Sequence, residues 1–325
     1  MSTLTKNEIA RQSSGLYNSL HPLLRAKPLQ LQTYLEKVAC KVSILGTQTQ
    51  AHCYFVALDG NHRPRVNDFA RFIAERIADF AIPRSEITRA LDEAQSTGST
   101  APTTRLNNKA RNLFTKLPKS GEGGEVLLSL MAEGFLNLPQ LFTKMVLKTN
   151  SEMHVHGSDG IHAGVNEHGN LALYWGESKL YQNVNEAVKA CFASLAPFLL
   201  DPGGSNATQE RDLQLMRDGL SLNDPDLLEA LKHFLDPDDP MFNKMEYRGL
   251  CLVGFDSDSY PTFPKSREAQ NLKQSIKESF EKNKNQISER VKSERLQSFT
   301  IEIFCLPFPR VEEFRKAFRN ELGLK

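Results

Sequence analysis

Two stretches of this 325-residue chain carry the side chains that metal-assisted hydrolysis of a phosphodiester requires. Asp159 lies in a glycine-rich stretch, and Glu177 and Lys179 end the apolar run that follows it. Two-residue spacing places Glu177 and Lys179 on one face of a strand. Carboxylates on neighbouring strands supply the oxygen ligands that Mg²⁺ or Mn²⁺ prefers, and the lysine can stabilise charge that builds on the phosphate. A surface Glu–Lys pair has the same spacing, so the pattern alone leaves that alternative open.

The elements that must position these residues predict an α/β fold of the α+β kind. Periodic apolar residues predict a helix over about 125–138, before the two stretches, and another over 183–200, after them. Residues 247–255 and 299–306 have the composition of strands. Helices and strands that alternate in this way are typical of an α/β core.

The first hundred residues predict a separate module. Two strands are expected within 29–58, followed by an amphipathic helix over 66–79. The polar, turn-rich run 96–104 is typical of a linker. We therefore predict an N-terminal α/β regulatory or partner-binding module over residues 1–100 and the catalytic core over residues 101–325.

Composition excludes several classes of protein. No apolar run reaches 18 residues and the N-terminus lacks the apolar segment of a signal peptide, so we expect neither a membrane span nor secretion. The five cysteines are an odd number without a Cys-x-x-Cys pair, which favours buried free thiols in the reducing cytoplasm. The sequence has neither a Walker A nor a Gly-x-Ser-x-Gly pattern, so any use of ATP must come from a partner.

Charge is distributed unevenly along a chain whose net charge is only +1. Residues 101–119 carry five bases and no acid, whereas residues 201–240 carry ten acids and three bases. Such segregation permits a local basic groove that holds DNA. A solvated loop and a solvated helix would have the same composition, so both interpretations stay open.

Two lysines, a tryptophan and a serine near the predicted centre have alternative roles. Lys144 and Lys148 are four residues apart, so on a helix they would share a face and either contact phosphates or be solvated. Trp175, the only tryptophan, is expected in the core rather than as a platform for stacked bases. Ser178 points away from its two charged neighbours on the strand, so it is not expected to be a nucleophile.

Four of the eight histidines surround Asp159 in the sequence. His154 and His156 together with Asp159 could bind zinc, which makes a zinc hydrolase an alternative to the Mg²⁺ centre. His162 follows Asp159 by three residues and is a candidate for contact with nucleic acid. Histidines that form hydrogen bonds around a phosphate site, His168 included, are the competing interpretation.

Six short motifs occur in the order expected for a known family. They are Phe-Ala-Ile-Pro-Arg at 80–84, Gly-Glu-Gly-Gly-Glu at 121–125, Lys-Thr-Asn at 148–150, Gly-Ser-Asp-Gly-Ile-His at 157–162, Gly-Glu-Ser-Lys at 176–179 and Ile-Phe-Cys-Leu-Pro-Phe-Pro at 303–309. With these motifs the chain resembles the HamA family, the effectors of the Hachiman anti-phage defence system, over roughly residues 30–322.

The resemblance implies a restriction-endonuclease-like PD-(D/E)xK nuclease core. Asp159 and Glu177 would then be metal ligands and Lys179 the catalytic lysine, although Ser158 stands where the motif has proline. In this fold a glutamate on the helix before the first strand often faces the metal. Glu125, which opens the apolar helix, is our candidate; Glu122 competes with it, and a role at the helix N-terminus is the alternative for either acid.

The resemblance also implies partners. A HamA nuclease works with a superfamily 2 helicase, HamB, and degrades DNA when the complex is triggered. Such a nuclease must be restrained in an uninfected cell, and the helicase complex would provide that restraint. The alternative from a different class is a non-catalytic DNA-binding or adaptor subunit that keeps the fold without the chemistry.

Overall fold

The computed structural model describes residues 15–115, 117, 120–148, 157–200, 208–220, 222–265 and 267–324. Its helices and strands follow one another in the order α1 Gly15–Leu20, α2 Pro28–Gln32, β1 Leu35–Ser43, β2 Thr49–Val56, α3 Val66–Ala74, α4 Ile77–Ala81, α5 Arg84–Thr97, α6 Ala101–Arg111, α7 Glu122–Leu136, β3 Gln140–Phe142, β4 Gly160–Val165, β5 Leu171–Leu180, α8 Val184–Leu200, α9 Thr208–Gly219, α10 Pro225–Leu235, β6 Glu246–Asp256, α11 Leu272–Ser293, β7 Ile301–Phe308 and α12 Val311–Glu321.

The strands form a mixed sheet in the order β1-β2-β7-β6-β5-β4-β3. The pairs β1–β2, β3–β4 and β4–β5 are antiparallel. The pairs β2–β7, β7–β6 and β6–β5 are parallel, and helices connect the parallel strands. This arrangement confirms the prediction of an α+β protein. Strands from before and after residue 100 share the sheet, and the functional division at that residue stays a prediction.

Helices α7 and α8 cover opposite faces of the central strands. On β5, a side chain added at Gly176 would meet Leu128 of α7 at 3.2 Å. On β6, a side chain added at Gly249 would meet Leu195 of α8 at 2.6 Å. Gly249 pairs with Trp175, the residue that precedes Gly176 on β5. Because successive residues of a strand point to opposite faces of the sheet, α7 and α8 lie on opposite faces.

Two predictions about the N-terminal part were wrong in detail. The single helix expected over 66–79 is divided into α3 and α4, because the backbone N–H of Arg76 donates to the Ile73 carbonyl at 3.0 Å instead of continuing the α-helical pattern. The Arg76 guanidinium donates to the Phe72 carbonyl at 2.6 Å. The linker expected over 96–104 is a short turn between packed helices. Gly98 ends α5 in the left-handed conformation and Pro102 lies in the first turn of α6, both of which are favoured at these positions.

Candidate active site

Asp159 lies immediately before β4, at the end of the antiparallel β4–β5 hairpin. Its backbone N–H donates to the Gly176 carbonyl at 3.0 Å, which fixes the residue against β5. Its Oδ2 accepts hydrogen bonds from the Ser178 backbone N–H at 2.8 Å and from Ser178 Oγ at 2.9 Å. The side chain is buried. A carboxylate that accepts two bonds from one residue is held in a single orientation.

Lys144 joins Asp159 to the N-terminal end of α7. It begins a 3₁₀ turn after β3, and its Nζ lies 2.8 Å from Asp159 Oδ1 and 3.2 Å from Glu125 Oε1. Glu125 is buried in the first turn of α7. Its second oxygen, Oε2, has no hydrogen-bond partner within the described part of the chain. This orphaned, buried carboxylate oxygen can accept a further donor or ligand.

Glu177 and Lys179 form an ion pair on the other face of β5. The Lys179 ammonium donates to Glu177 Oε2 at 2.9 Å, and Glu177 is buried. The Ser178 hydroxyl between them faces α7, since a side chain added at Gly124 would meet it at 3.2 Å. Glu177 and Lys179 therefore point toward the face that α8 covers. Burial alone would lower the pKa of Lys179, but the charges of Glu177 and Asp159 raise it above its usual range.

Asp159 thus lies where two ion-paired groups meet, Lys144–Glu125 from one face and Glu177–Lys179 from the other. We call these five residues the Asp159 cluster. Burial alone would raise the pKa of Asp159, but the charges of Lys144 and Lys179 hold it below its usual range. Two nearby positive charges therefore favour the ionised form of the Asp159 carboxylate.

The two glutamates of the cluster behave differently from Asp159. Burial and the neighbouring charge of Asp159 raise the pKa of Glu125 to about 8. The same two causes raise the pKa of Glu177 to about 7. Three buried carboxylates facing two lysines leave an excess of negative charge, which a proton or a cation can neutralise.

Glu122, the competitor of Glu125, belongs to a neighbouring pair. Its Oε1 lies 2.7 Å from Lys148 Nζ, and its Oε2 accepts the Thr115 backbone N–H at 2.7 Å. The structure therefore brings Glu125, rather than Glu122, to Asp159 through Lys144. That choice depends on which acid the turn after β3 reaches, and the sequence of α7 does not indicate it.

The two predicted phosphate-contacting lysines are engaged with acids. Lys144 and Lys148 flank a 3₁₀ turn instead of sharing a helix face, and each forms an ion pair with a glutamate of α7. His162 is buried and its Nδ1 is 2.9 Å from the Leu138 carbonyl, so its ring presents no exposed surface to a nucleic acid in this conformation. Trp175 is fully buried, which confirms its predicted place in the core.

The zinc alternative rests on His154 and His156, which lie outside the described residues. His168 is an exposed side chain of the β4–β5 turn, 3.9 Å from Glu167. Among the residues that the structure describes, no group of three or more His, Cys, Asp or Glu side chains is gathered closely enough to hold a metal ion. In the Asp159 cluster, the Lys144 ammonium group lies 2.8 Å from the Asp159 carboxylate and the Lys179 ammonium group lies 2.9 Å from the Glu177 carboxylate.

The donor chemistry of the cluster nevertheless fits a hard divalent cation. Glu125, Asp159 and Glu177 offer only carboxylate oxygens, which Mg²⁺ and Mn²⁺ prefer. The orphaned Oε2 of Glu125 is one oxygen that such an ion could use. These three acids therefore have the right donor chemistry for such an ion, although in this structure they are not gathered into one group that could hold it.

Two bases of the stretch before α7 also form ion pairs with acids. Arg105 of α6 lies 3.1 Å from Glu93 and Lys109 lies 2.6 Å from Glu86, both acids of α5. A surface cavity of about 710 Å³ is lined by these two bases and by Lys148. This cavity, whose lining mixes polar and apolar side chains, therefore extends from α6 to Lys148, the partner of Glu122.

Sequence reasoning missed the role of Ser178. Its position between Glu177 and Lys179 directs its hydroxyl to the opposite face, as expected, but there it binds the Asp159 carboxylate. The alternation of side chains along a strand was enough to predict the direction of the Ser178 side chain. Nothing in the sequence indicated that Asp159 would turn toward that face.

The fold and the site define an α+β protein with a buried centre of carboxylates and lysines at the end of a β-hairpin. The HamA family model matches residues 32–322, so the chain belongs to the HamA family and is a Hachiman defence protein. Neither the curated proteins nor the solved structures contain a match. In the parts of the chain that the structure describes, no helix is long and apolar enough to cross a membrane.

Proposed function

We propose that this chain is the metal-dependent DNA nuclease of a cytoplasmic defence complex, with the PD-(D/E)xK chemistry at the Asp159 cluster. The observation that carries the proposal is the convergence of three buried carboxylates and two lysines at the end of the β4–β5 hairpin in a HamA chain. Burying so many ionisable groups is costly unless they serve a function.

Each residue of the cluster has a distinct part in the proposed reaction. Mg²⁺ or Mn²⁺ bound by the acids would supply a Lewis acid and an activated water for hydrolysis of the phosphodiester. Ser178 and Lys144 hold the Asp159 carboxylate in place from two sides. Lys179 brings a positive charge to the side of β5 that carries Glu177, where it stabilises negative charge on the phosphate.

DNA would reach the cluster along the groove that Arg105, Lys109 and Lys148 line. The first two bases are exposed and bound to glutamates of α5, so phosphates could replace those carboxylates. Phosphate contacts of this kind position a backbone without reading its sequence. The proposal therefore includes DNA binding that weakens as salt concentration rises.

A superfamily 2 helicase of the HamB kind is the proposed controlling partner. Membership of the HamA family supports this partner, and the N-terminal region 1–100 is the proposed partner-binding part. Purified chain that degrades plasmid DNA equally with and without the helicase and ATP would contradict the control by a partner while leaving the nuclease proposal intact.

The test of the nuclease is cleavage of plasmid and linear DNA by the full chain, with helicase, ATP and Mg²⁺, beside a Glu177→Ala/Lys179→Ala variant. A matched control is Glu281→Ala/Lys284→Ala, which removes a partly exposed Glu–Lys pair on α11. We expect cleavage to be lost in the first variant and kept in the second, with unchanged circular dichroism in both. Equal cleavage by both variants would exclude this site.

The adaptor alternative is favoured by one observation, the absence of a group of three metal-ready side chains among the described residues. Titration of Mn²⁺ into wild-type chain and into the Glu177→Ala/Lys179→Ala variant separates the two functions without a cleavage assay. Saturable binding that the variant loses supports the nuclease. DNA binding that is independent of the metal, with no cleavage by wild type, supports the adaptor.

A further inference from the structure

At the other edge of the sheet, polar side chains from three strands form a hydrogen-bonded relay. Cys40 Sγ of β1 lies 3.2 Å from Nδ1 of His52 on β2. The opposite ring nitrogen, Nε2, lies 2.6 Å from Glu302 Oε2 on β7. We call these residues the Cys40 relay. Because the thiol and the carboxylate bind opposite nitrogens of one ring, they cannot share a single metal ion, and the ring can instead carry a proton toward either group. The backbone N–H of Lys41 also lies 3.4 Å from Nδ1.

A β-bulge creates this contact. The pairing of β1 with β2 shifts between Ala39 and Val42, so Cys40 and Lys41 both lie opposite the single residue His52. Lys41 has a φ of 52°, a left-handed conformation that is uncommon for a residue other than glycine. A bulge re-aims the side chains of an edge strand, and here it turns the thiol toward the ring.

The relay combines an accessible thiol with a shielded base. The His52 ring is fully buried and packs against Phe304 with 5.1 Å between ring centroids, whereas Cys40 is exposed. A cavity of about 230 Å³ beside the relay is lined in part by Lys41 and Glu302. A small reagent can therefore approach this thiol, while the remaining cysteines, Cys53, Cys191, Cys251 and Cys305, are buried.

The charges around the relay favour an ion pair. Burial alone would lower the pKa of His52, but its bonds to Cys40 and Glu302 raise that pKa to about 9. The bond from His52 lowers the pKa of the Cys40 thiol, and Tyr54 and Lys37 lower it further against the effect of burial. These are the charged and titratable groups that act on the thiol, and together they stabilise a thiolate beside an imidazolium.

We propose that Cys40 is a redox modification site, whose thiolate, paired with protonated His52, reacts with hydrogen peroxide. The sulfur attacks one peroxide oxygen, so that an S–O bond forms and the O–O bond breaks. The hydroxide that leaves takes the imidazolium proton and becomes water. Sulfur gives up two electrons and becomes a sulfenic acid, while the two peroxide oxygens are each reduced by one electron.

This modification is independent of the proposed nuclease. Tyr54, beside the thiol, stacks on Phe135 near the C-terminal end of α7, at 4.3 Å between centroids. Glu125 of the Asp159 cluster lies in the first turn of the same helix, ten residues before Phe135 and about 15 Å away at the rise of an α-helix. A chain that cleaves no DNA can still have this reactive thiol, and the reverse also holds.

The test is the rate of alkylation of Cys40 by iodoacetamide in the native full chain between pH 5.5 and 9, followed peptide by peptide by mass spectrometry. The reference is the same cysteine in urea-unfolded chain. We expect the midpoint of the native profile to lie at lower pH and alkylation at pH 6 to be faster, by about threefold for each unit that the midpoint falls. Peroxide followed by dimedone should label Cys40 and leave the buried cysteines unlabelled.

A Glu302→Gln variant and a Glu36→Gln variant complete the design. Glu302→Gln removes the charge that stabilises the imidazolium, so its profile should move toward that of the unfolded chain. Glu36→Gln removes an exposed acid of the same strand, β1, and should leave the profile unchanged. A native midpoint equal to that of the unfolded chain, no dimedone adduct on Cys40, or no response to Glu302→Gln would each overturn the proposal.

Discussion

The Asp159 cluster and the Cys40 relay lie at opposite ends of α7 and differ in how they manage buried charge. The cluster places three carboxylates against two lysines and leaves an oxygen of Glu125 without a partner within the described chain. The relay is one line of hydrogen bonds with a partner at each ring nitrogen. An excess of carboxylates is suited to a site that takes up a cation, whereas a chain of hydrogen bonds through a histidine ring is suited to a site that moves a proton.

The largest expected effect tests the chemistry assigned to the cluster. Replacing Glu177 and Lys179 with alanine removes a proposed ligand and the charge beside it, so DNA cleavage should fall by about 10²–10³-fold or more. Cleavage is measured as loss of supercoiled plasmid over time. Glu302→Gln at the relay should cleave as wild type does. If both variants lose activity equally, the distinction between the two regions is wrong.

The next effect measures how much Lys144 stabilises the cluster. Lys144→Met leaves Asp159 and Glu125 buried without their shared cation, so the free energy of unfolding should fall by about 3–5 kcal/mol. Urea denaturation at pH 7 provides the measurement. Lys284→Met, at a partly exposed pair on α11, should change it by less than about 0.5 kcal/mol. Similar losses in both variants would show that burial of the Lys144 pairs has little weight.

A smaller effect is expected at Ser178. Ser178→Ala removes the hydroxyl bond to Asp159 but keeps the backbone N–H bond, so stability should fall by about 1 kcal/mol. DNA cleavage should fall severalfold, less than in the Glu177 and Lys179 variant, because the carboxylate loses part of its support. Ser293→Ala, whose hydroxyl bonds an exposed carbonyl of α11, is the control. Full activity of Ser178→Ala would remove this serine from the positioning of Asp159.

The smallest effect concerns the pH dependence of the relay. The pKa of His52 is raised to about 9 from an ordinary value of 6.5, so its stabilising contribution is complete below pH 6.5 and is lost as pH rises through 9. Glu302→Gln should therefore lower the free energy of unfolding by about 1 kcal/mol at pH 6 and by little at pH 9.5. Denaturation curves of both proteins at the two pH values measure this difference in the free energy of unfolding. A loss that is equal at the two values would mean that His52 is neutral throughout.

Much of the fold follows from local patterns in the sequence. Helices α7 and α8 and strands β6 and β7 were predicted because the period and composition of apolar residues specify a helix or a strand within a few residues. The linker expected over 96–104 was wrong because Gly98 and Pro102 end one helix and begin the next, and the same residues are typical of loops. Polar composition cannot distinguish these two cases.

The candidate site was predictable only as far as it is local. Asp159, Glu177 and Lys179 lie within one hairpin, so their proximity follows from strand pairing over about twenty residues. The partners of Lys144 and Lys148 were not predictable, because a 3₁₀ turn rather than a helix carries them and directs each to a different acid of α7. Their ion pairs depend on how β3 and α7 pack.

By itself, the sequence determined the α+β class, the hairpin that carries the acids and the burial of Trp175. Only the tertiary structure decided that Glu125 joins Asp159, that Ser178 holds its carboxylate, and that Cys40 meets His52 and Glu302. His52 and Glu302 are 250 residues apart, and a β-bulge brings the thiol to their line. Periodic patterns report the environment of each element, whereas contacts between distant side chains depend on register and packing across the whole sheet.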